Sequence, residues 1–156
     1  MNITIEQSVE ATLEVRDLIR ELNDVLGAAY DEHQRHGLSI EQLFEPNVRF
    51  FVARLDGIAV GCGGVAMFED YAEVKRMYTR PVARGRGVAK ALLRRIEAEA
   101  QGAGMSVLRL ETGTNQQEAI GLYERMGFRL RGSFGPYVTM PARNIETSLF
   151  FEKILP

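Results

Sequence analysis

The segment Arg84-Gly85-Arg86-Gly87-Val88-Ala89 puts backbone freedom and positive charge at one point, directly before an apolar stripe at helical spacing. The first turn of a helix leaves backbone N–H groups without acceptors. With the helix dipole, those donors favour an anion. Glycine lets a phosphate approach with no Cβ in the way, and Arg84 and Arg86 add cations that pair with phosphate oxygens. The chemistry on offer is therefore the holding of a phosphate or pyrophosphate. The spacing is not Gly-x-x-x-x-Gly-Lys-Ser/Thr, which argues against a P-loop. Gly-x-Gly-x-x-Gly is absent, and the preceding strands read as a meander, so a dinucleotide fold is weakly supported. On spacing alone, a glycine-rich entry to an ordinary helix stays open.

Other reactive side chains are few. Lys75 and Arg76 are consecutive charges on a half-buried strand, an arrangement that calls for a reason. Arg76 could hold a substrate carboxylate bidentately; the alternative is an ion pair with Glu73 or another acid. Cys62 is the single cysteine, which excludes an internal disulfide and any multi-thiolate metal site. No nearby pattern supplies a histidine to activate it, so it reads as a small buried residue rather than an acyl carrier. His33 and His36 sit on a polar stretch, and two histidines alone make a poor metal site, so no metal is expected.

The elements that must position these groups follow from periodicity. Residues 2–6 alternate as a short strand. Val15, Leu18, Ile19, Leu22, Val25, Leu26 and Ala29 keep helical spacing, which predicts an amphipathic helix over 9–30. Ser39 before Ile40-Glu41-Gln42 resembles a capping box opening a short helix that Pro46 closes. Strands over 49–55 and 58–68 flank Asp56-Gly57, a hairpin signal because both residues tolerate positive φ. Gly61, Gly63 and Gly64 within the second strand suggest close approach by a ligand or another backbone. A strand over 71–79, a loop over 81–87, a helix over 87–101, a strand over 106–111 and a helix over 115–126 follow. Strands over 129–134 and 147–154, joined by a loop holding Pro136 and Pro141, complete the chain. This order gives an α/β (α+β) fold with a mixed, mostly antiparallel sheet.

The 156 residues suit one domain over 1–156. Hydrophobic and charged shares of 46% and 26% are those of an ordinary globular chain. A formal charge of −2 gives no electrostatic reason to expect nucleic acid or an anionic membrane as partner. The N-terminus from Met1 lacks a basic and apolar leader, and no apolar run reaches bilayer length. The expected location is cytoplasmic.

Arg84-x-x-Gly87-x-Ala89 resembles the Arg/Gln-x-x-Gly-x-Gly/Ala signature of the GNAT superfamily of N-acetyltransferases. Ala119-Ile120-Gly121-Leu122-Tyr123-Glu124-Arg125-Met126-Gly127-Phe128 is similar to that family's Ala-x-x-Leu-Tyr-x-x-x-Gly-Phe block, and Asn115 precedes it. The resemblance implies a GNAT fold in which the strand before the cradle splays from the strand after its helix, and acetyl-CoA enters the gap. It implies that Met77, Tyr78 and Thr79 pair through their backbones with pantetheine. Arg84, Gly85, Arg86, Gly87, Val88 and Ala89 would bind the pyrophosphate, and Asn115 the cofactor arm. Direct attack by the acceptor amine is the family's usual route, and Tyr123 matches its general acid. Glu73 stands where some members carry a catalytic glutamate, with Glu111 as competitor. Tyr137 and Arg143, on the last connection, are specificity candidates. Expected partners are a small-molecule amine and, since many relatives pair, a homodimeric copy. A protein N-terminus or lysine as acceptor, and a non-catalytic acyl-CoA sensor, are the alternatives.

Overall fold

The computed structural model describes residues 2–156; Met1, the start of the segment inspected for a leader, lies outside the described residues. The elements are β1 (Ile3–Ser8), α1 (Leu13–Ala29), α2 (Ile40–Leu43), β2 (Val48–Leu55), β3 (Ile58–Met67), β4 (Ala72–Thr79), α3 (Val88–Gly102), β5 (Val107–Gly113), α4 (Gln117–Arg125), β6 (Arg129–Arg131), α5 (Ala142–Ile145) and β7 (Ser148–Ile154), with short 3-10 turns at Glu32–Gln34, Pro81–Ala83 and Gly135–Thr139. One seven-stranded sheet runs in the order β1-β2-β3-β4-β5-β7-β6. Every neighbouring pair is antiparallel except β4 and β5. No helix of the described residues is long and apolar enough to cross a membrane.

Strand alternation sorts the core onto two faces. Phe50 and Val52 of β2 turn toward Val15, Leu18, Ile19 and Leu22 of α1. Phe51 and Ala53 turn the other way, toward Val88, Leu92, Leu93 and Ile96 of α3. The expected close approach at Gly63 is made by protein: a Cβ there would run into the Met77 thioether and lie 3.4 Å from Ile96 Cδ1. The Asp56-Gly57 turn has φ of 50° and 86°, as a tight hairpin requires.

Several boundaries differ from the sequence expectation, two of them for visible reasons. Thr12 caps α1 by accepting from the Val15 N–H at 3.2 Å, so the helix begins at Leu13 and not at residue 9. The strand expected over 129–134 stops at Arg131, because Phe134 leaves the ladder to pack with Tyr137 and Phe150. The connection that follows is structured, as the turn Gly135–Thr139 and helix α5.

Two irregularities in β4 shape everything that follows. Its parallel pairing with β5 is confined to Ala72↔Leu108 and Glu73↔Arg109. Residues 74–79 of β4 and 110–113 of β5 therefore do not pair with each other, and a gap opens toward the C-terminal ends of both strands. On its other edge β4 carries a bulge. Cys62 pairs with Tyr78 and Gly64 with Lys75, so Arg76 and Met77 together oppose Gly63.

Candidate active site

The gap is the mouth of a cleft of about 1060 Å³, walled by Met77, Thr79, Arg84, Gly87, Asn115 and Tyr123 among others. Its floor is the entry to α3. Gly87 is the N-cap, at φ 83°, and has no side chain to cap with. Its carbonyl accepts the first helical bond, from Ala91 N–H at 3.0 Å. The N–H groups of Val88, Ala89 and Lys90 thus have no helical acceptor and stand at the positive end of a 15-residue helix. A Cβ added at Gly85, φ 77°, would meet nothing within 4 Å, so the cradle is open as well as glycine-rich.

Behind the gap, on the α1 face of the sheet, lies a chamber of about 120 Å³. Its wall includes Glu73, Arg76, Glu111 and His36, and Tyr123 lines both chamber and cleft. Glu73 is buried. Its Oε2 accepts from Tyr137 Oη at 2.6 Å and pairs with Lys75 Nζ at 3.1 Å. Lys75 also donates to the Tyr137 hydroxyl oxygen and, at 3.3 Å, to the His36 carbonyl. His36 Nε2 donates to the Asn144 carbonyl at 2.7 Å, which ties the segment before α2 to α5. Glu111, across the gap, accepts from Ser148 Oγ at 2.6 Å.

A phosphate-sized cradle, a splayed strand pair and a buried acid chamber beyond them match one known family. The acetyltransferase (GNAT) family model fits residues 14–128. An IAA acetyltransferase of Azospirillum brasilense is 45% identical over 156 residues, 99% of each chain. The chain belongs to the GNAT acetyltransferase family. It is accordingly an acetyl-CoA-dependent N-acetyltransferase. A Klebsiella pneumoniae structure assigned as an acyl-CoA N-acyltransferase superposes with TM-score 0.78 at 35% identity, over 99% of this chain and 98% of that one. The PaiA N-acetyltransferase of Thermoplasma acidophilum, solved with coenzyme A, shares the fold at TM-score 0.73 and 19% identity, each chain 99% covered.

Most residues expected in the GNAT site line the cleft or the chamber. Tyr78 borders the cleft, but the Arg80 N–H to Val60 O bond fixes the alternation so that the Tyr78 amide faces β3. Its hydroxyl donates to Glu21. Met77 and Thr79 are left with amides toward the cleft. Arg86 is exposed and does not line the cleft; the cradle is made by backbone. Tyr137, the specificity candidate on the last connection, is buried and donates to Glu73. Among the described residues Arg76 forms no ion pair, and Lys75 is the cation paired with Glu73. Cys62 is fully buried and its thiol is pushed up to about 12, as expected of an inert packing residue. Among the described residues no group of three metal-ligating side chains occurs.

Sequence reasoning missed Tyr30 and Lys90. The Tyr30 hydroxyl accepts from Asn115 N–H at 2.9 Å and so pins the entry of α4 to the end of α1. Its only sequence signal was a tyrosine closing an amphipathic helix. Lys90 joins the cleft wall from the first turn of α3.

Burial holds the Glu111 carboxyl above its ordinary range, and the nearby Glu73 charge adds to this; the Ser148 bond, His36 and Lys75 act in the opposite sense. The consequence for stability has a definite sign. A raised folded value means the native state favours the protonated acid. The stability so gained is complete below the unfolded value of about 4.5 and is lost as pH rises through the raised value. At neutral pH Glu111 is therefore a burden to the fold. Glu111→Gln should raise Tm by about 2–4 °C at pH 7.5, as ~1 kcal/mol does for a chain of this size. The gain should vanish below pH 4 in thermal unfolding scans.

Proposed function

We propose that this acetyltransferase moves the acetyl group of acetyl-CoA to a primary amine of a small molecule, by direct attack within a ternary complex. The observation that carries the reading is the junction at Tyr123, where the cleft of about 1060 Å³ meets the smaller chamber that would take the acceptor. The free N–H groups of Val88, Ala89 and Lys90 hold the pyrophosphate, while Met77 and Thr79 pair with the pantetheine amides. Asn115, at the entry of α4, borders the cofactor arm. The amine nitrogen attacks the thioester carbonyl, the C–S bond breaks, the thiolate takes a proton from the Tyr123 phenol, and the proton that the nitrogen sheds on becoming an amide returns to the Tyr123 phenolate. The ammonium proton goes first to a carboxylate. Of the two, Glu111 is the better acceptor, because burial raises its proton affinity while Glu73 Oε2 is already held by Tyr137 and Lys75. Glu73 keeps Lys75 in place and the chamber close to neutral.

The chamber volume of about 120 Å³ favours a small acceptor over a protein segment. A turnover assay decides between catalyst and sensor: thiol release from acetyl-CoA, measured against a panel of primary amines. Amine-dependent release of free CoA is expected. Tight CoA binding with no release for any amine would overturn the catalytic reading.

A further inference from the structure

Among the described residues, two that are not glycine have positive φ. One is Asp56, in the hairpin turn, and the other is Arg76, at φ 56° in the middle of β4. A left-handed arginine costs about 1–2 kcal/mol, and such strain is kept where the surroundings enforce it. Here the bulge enforces it, and its effect is on side-chain direction. In an unbroken strand Lys75 and Arg76 would face opposite sides. With the extra residue, Lys75 reaches His36 and Tyr137, while Arg76 reaches Asn23 of α1 and lies against Gly37. Both cations thus serve the α1 face, where the chamber lies.

Their charges are not treated alike. Lys75 is neutralised by Glu73. The Arg76 guanidinium donates to the neutral Asn23 amide oxygen, its Nε–H is buried without an acceptor, and among the described residues no carboxylate pairs with it. A largely desolvated guanidinium without a counter-ion is costly. Its planar fork is the shape that binds a carboxylate. Glu111 stands on the same chamber wall, across the gap from it.

We infer that Arg76 is the receptor for a carboxylate on the acceptor, so that the substrate is a small amino acid carrying its acid group at Arg76 and its amine toward Glu111 and Tyr123. This rests on the acetyl-transfer reading above. The bulge is then a specificity device, turning a strand residue that would have faced α3 into the acid-binding wall of the acceptor site.

The test uses matched acceptors: amino acids, their carboxamides and their decarboxylated amines. The wild-type protein should prefer acid to carboxamide by about 100-fold in kcat/KM. Arg76→Asn suits the backbone, since asparagine tolerates left-handed φ. It should lower kcat/KM for the acids about 100-fold, mainly through KM, and bring the acid-to-amide ratio near one. Arg76→Lys should restore part of the preference. Equal use of acids and amides by the wild type, or equal loss on both in Arg76→Asn, would overturn the assignment. Calorimetric titration of the acids into CoA-loaded protein separates this inference from the one beneath it. If no amine is acetylated yet acids bind and Arg76→Asn abolishes that binding, the transfer reading fails and the carboxylate site stands. Absence of acid binding in the wild type refutes the site. CoA affinity, measured alongside, reports that the variant is folded.

Discussion

Gly87→Glu is expected to weaken coenzyme A binding at least 100-fold, about 2.7 kcal/mol, without unfolding the protein. The residue is the N-cap of α3 at φ 83°, and a Cβ there would have only Ile3 Cδ1, at 4.0 Å, as a neighbour. Space is therefore available, and the steric cost is that of a left-handed non-glycine residue, about 1–2 kcal/mol. Charge then separates two effects that usually move together. A carboxylate at a helix N-terminus is favourable for the helix itself, so it offsets part of the backbone strain. The same carboxylate lies at the N–H groups proposed to hold the pyrophosphate and repels two phosphates. Gly87→Ala supplies the strain without the charge, and its affinity should fall by less than about 10-fold. Calorimetric CoA titration and thermal unfolding of both variants check this. Equal affinity in Gly87→Glu and wild type would remove the cradle from the site.

The parts of this site readable in the sequence are those built from local chemistry. The cradle needs only glycines, a helix start and their adjacency, all contiguous in residues 84–89. The helices that cover the sheet were readable because apolar residues keep period 3.6 in α1 and α3. What escaped depends on distant pairing or a break in phase. Glu73 meets Tyr137 across 64 residues, and Asn115 meets Tyr30 across 85. No spacing rule encodes either contact. The bulge at Arg76 shifts the strand phase by one residue, so simple alternation would put Lys75 and Arg76 on opposite faces when they share one. The break falls at the chamber proposed to take the acceptor, and the consecutive charges that looked out of place in a strand were its only trace.

Tyr123→Phe should reduce kcat by about 10²–10³-fold, within the range for a lost general acid, with little change in KM for acetyl-CoA. The ring packs edge-on to Phe128 at 5.8 Å and near Phe151 at 6.5 Å, and phenylalanine keeps both contacts, so the core survives. Burial raises the phenol above its ordinary value, and the Glu111 charge pushes the same way. Tyr123 is thus protonated throughout the neutral range, as a donor must be. A phenol that holds its proton so firmly is a weaker acid than an ordinary thiol, whose value is about 8.5, so the transfer requires that the burial which raises Tyr123 also raise the departing thiol. The dependence on the leaving group therefore discriminates between an acid and a packing residue. An acetyl thioester of a more acidic thiol needs less protonation as its C–S bond breaks. If Tyr123 is the acid, the deficit of Tyr123→Phe should shrink several-fold with that donor. If the hydroxyl only shapes the wall between cleft and chamber, the deficit should be the same for both donors, because the lost contact is the same whichever thiol departs.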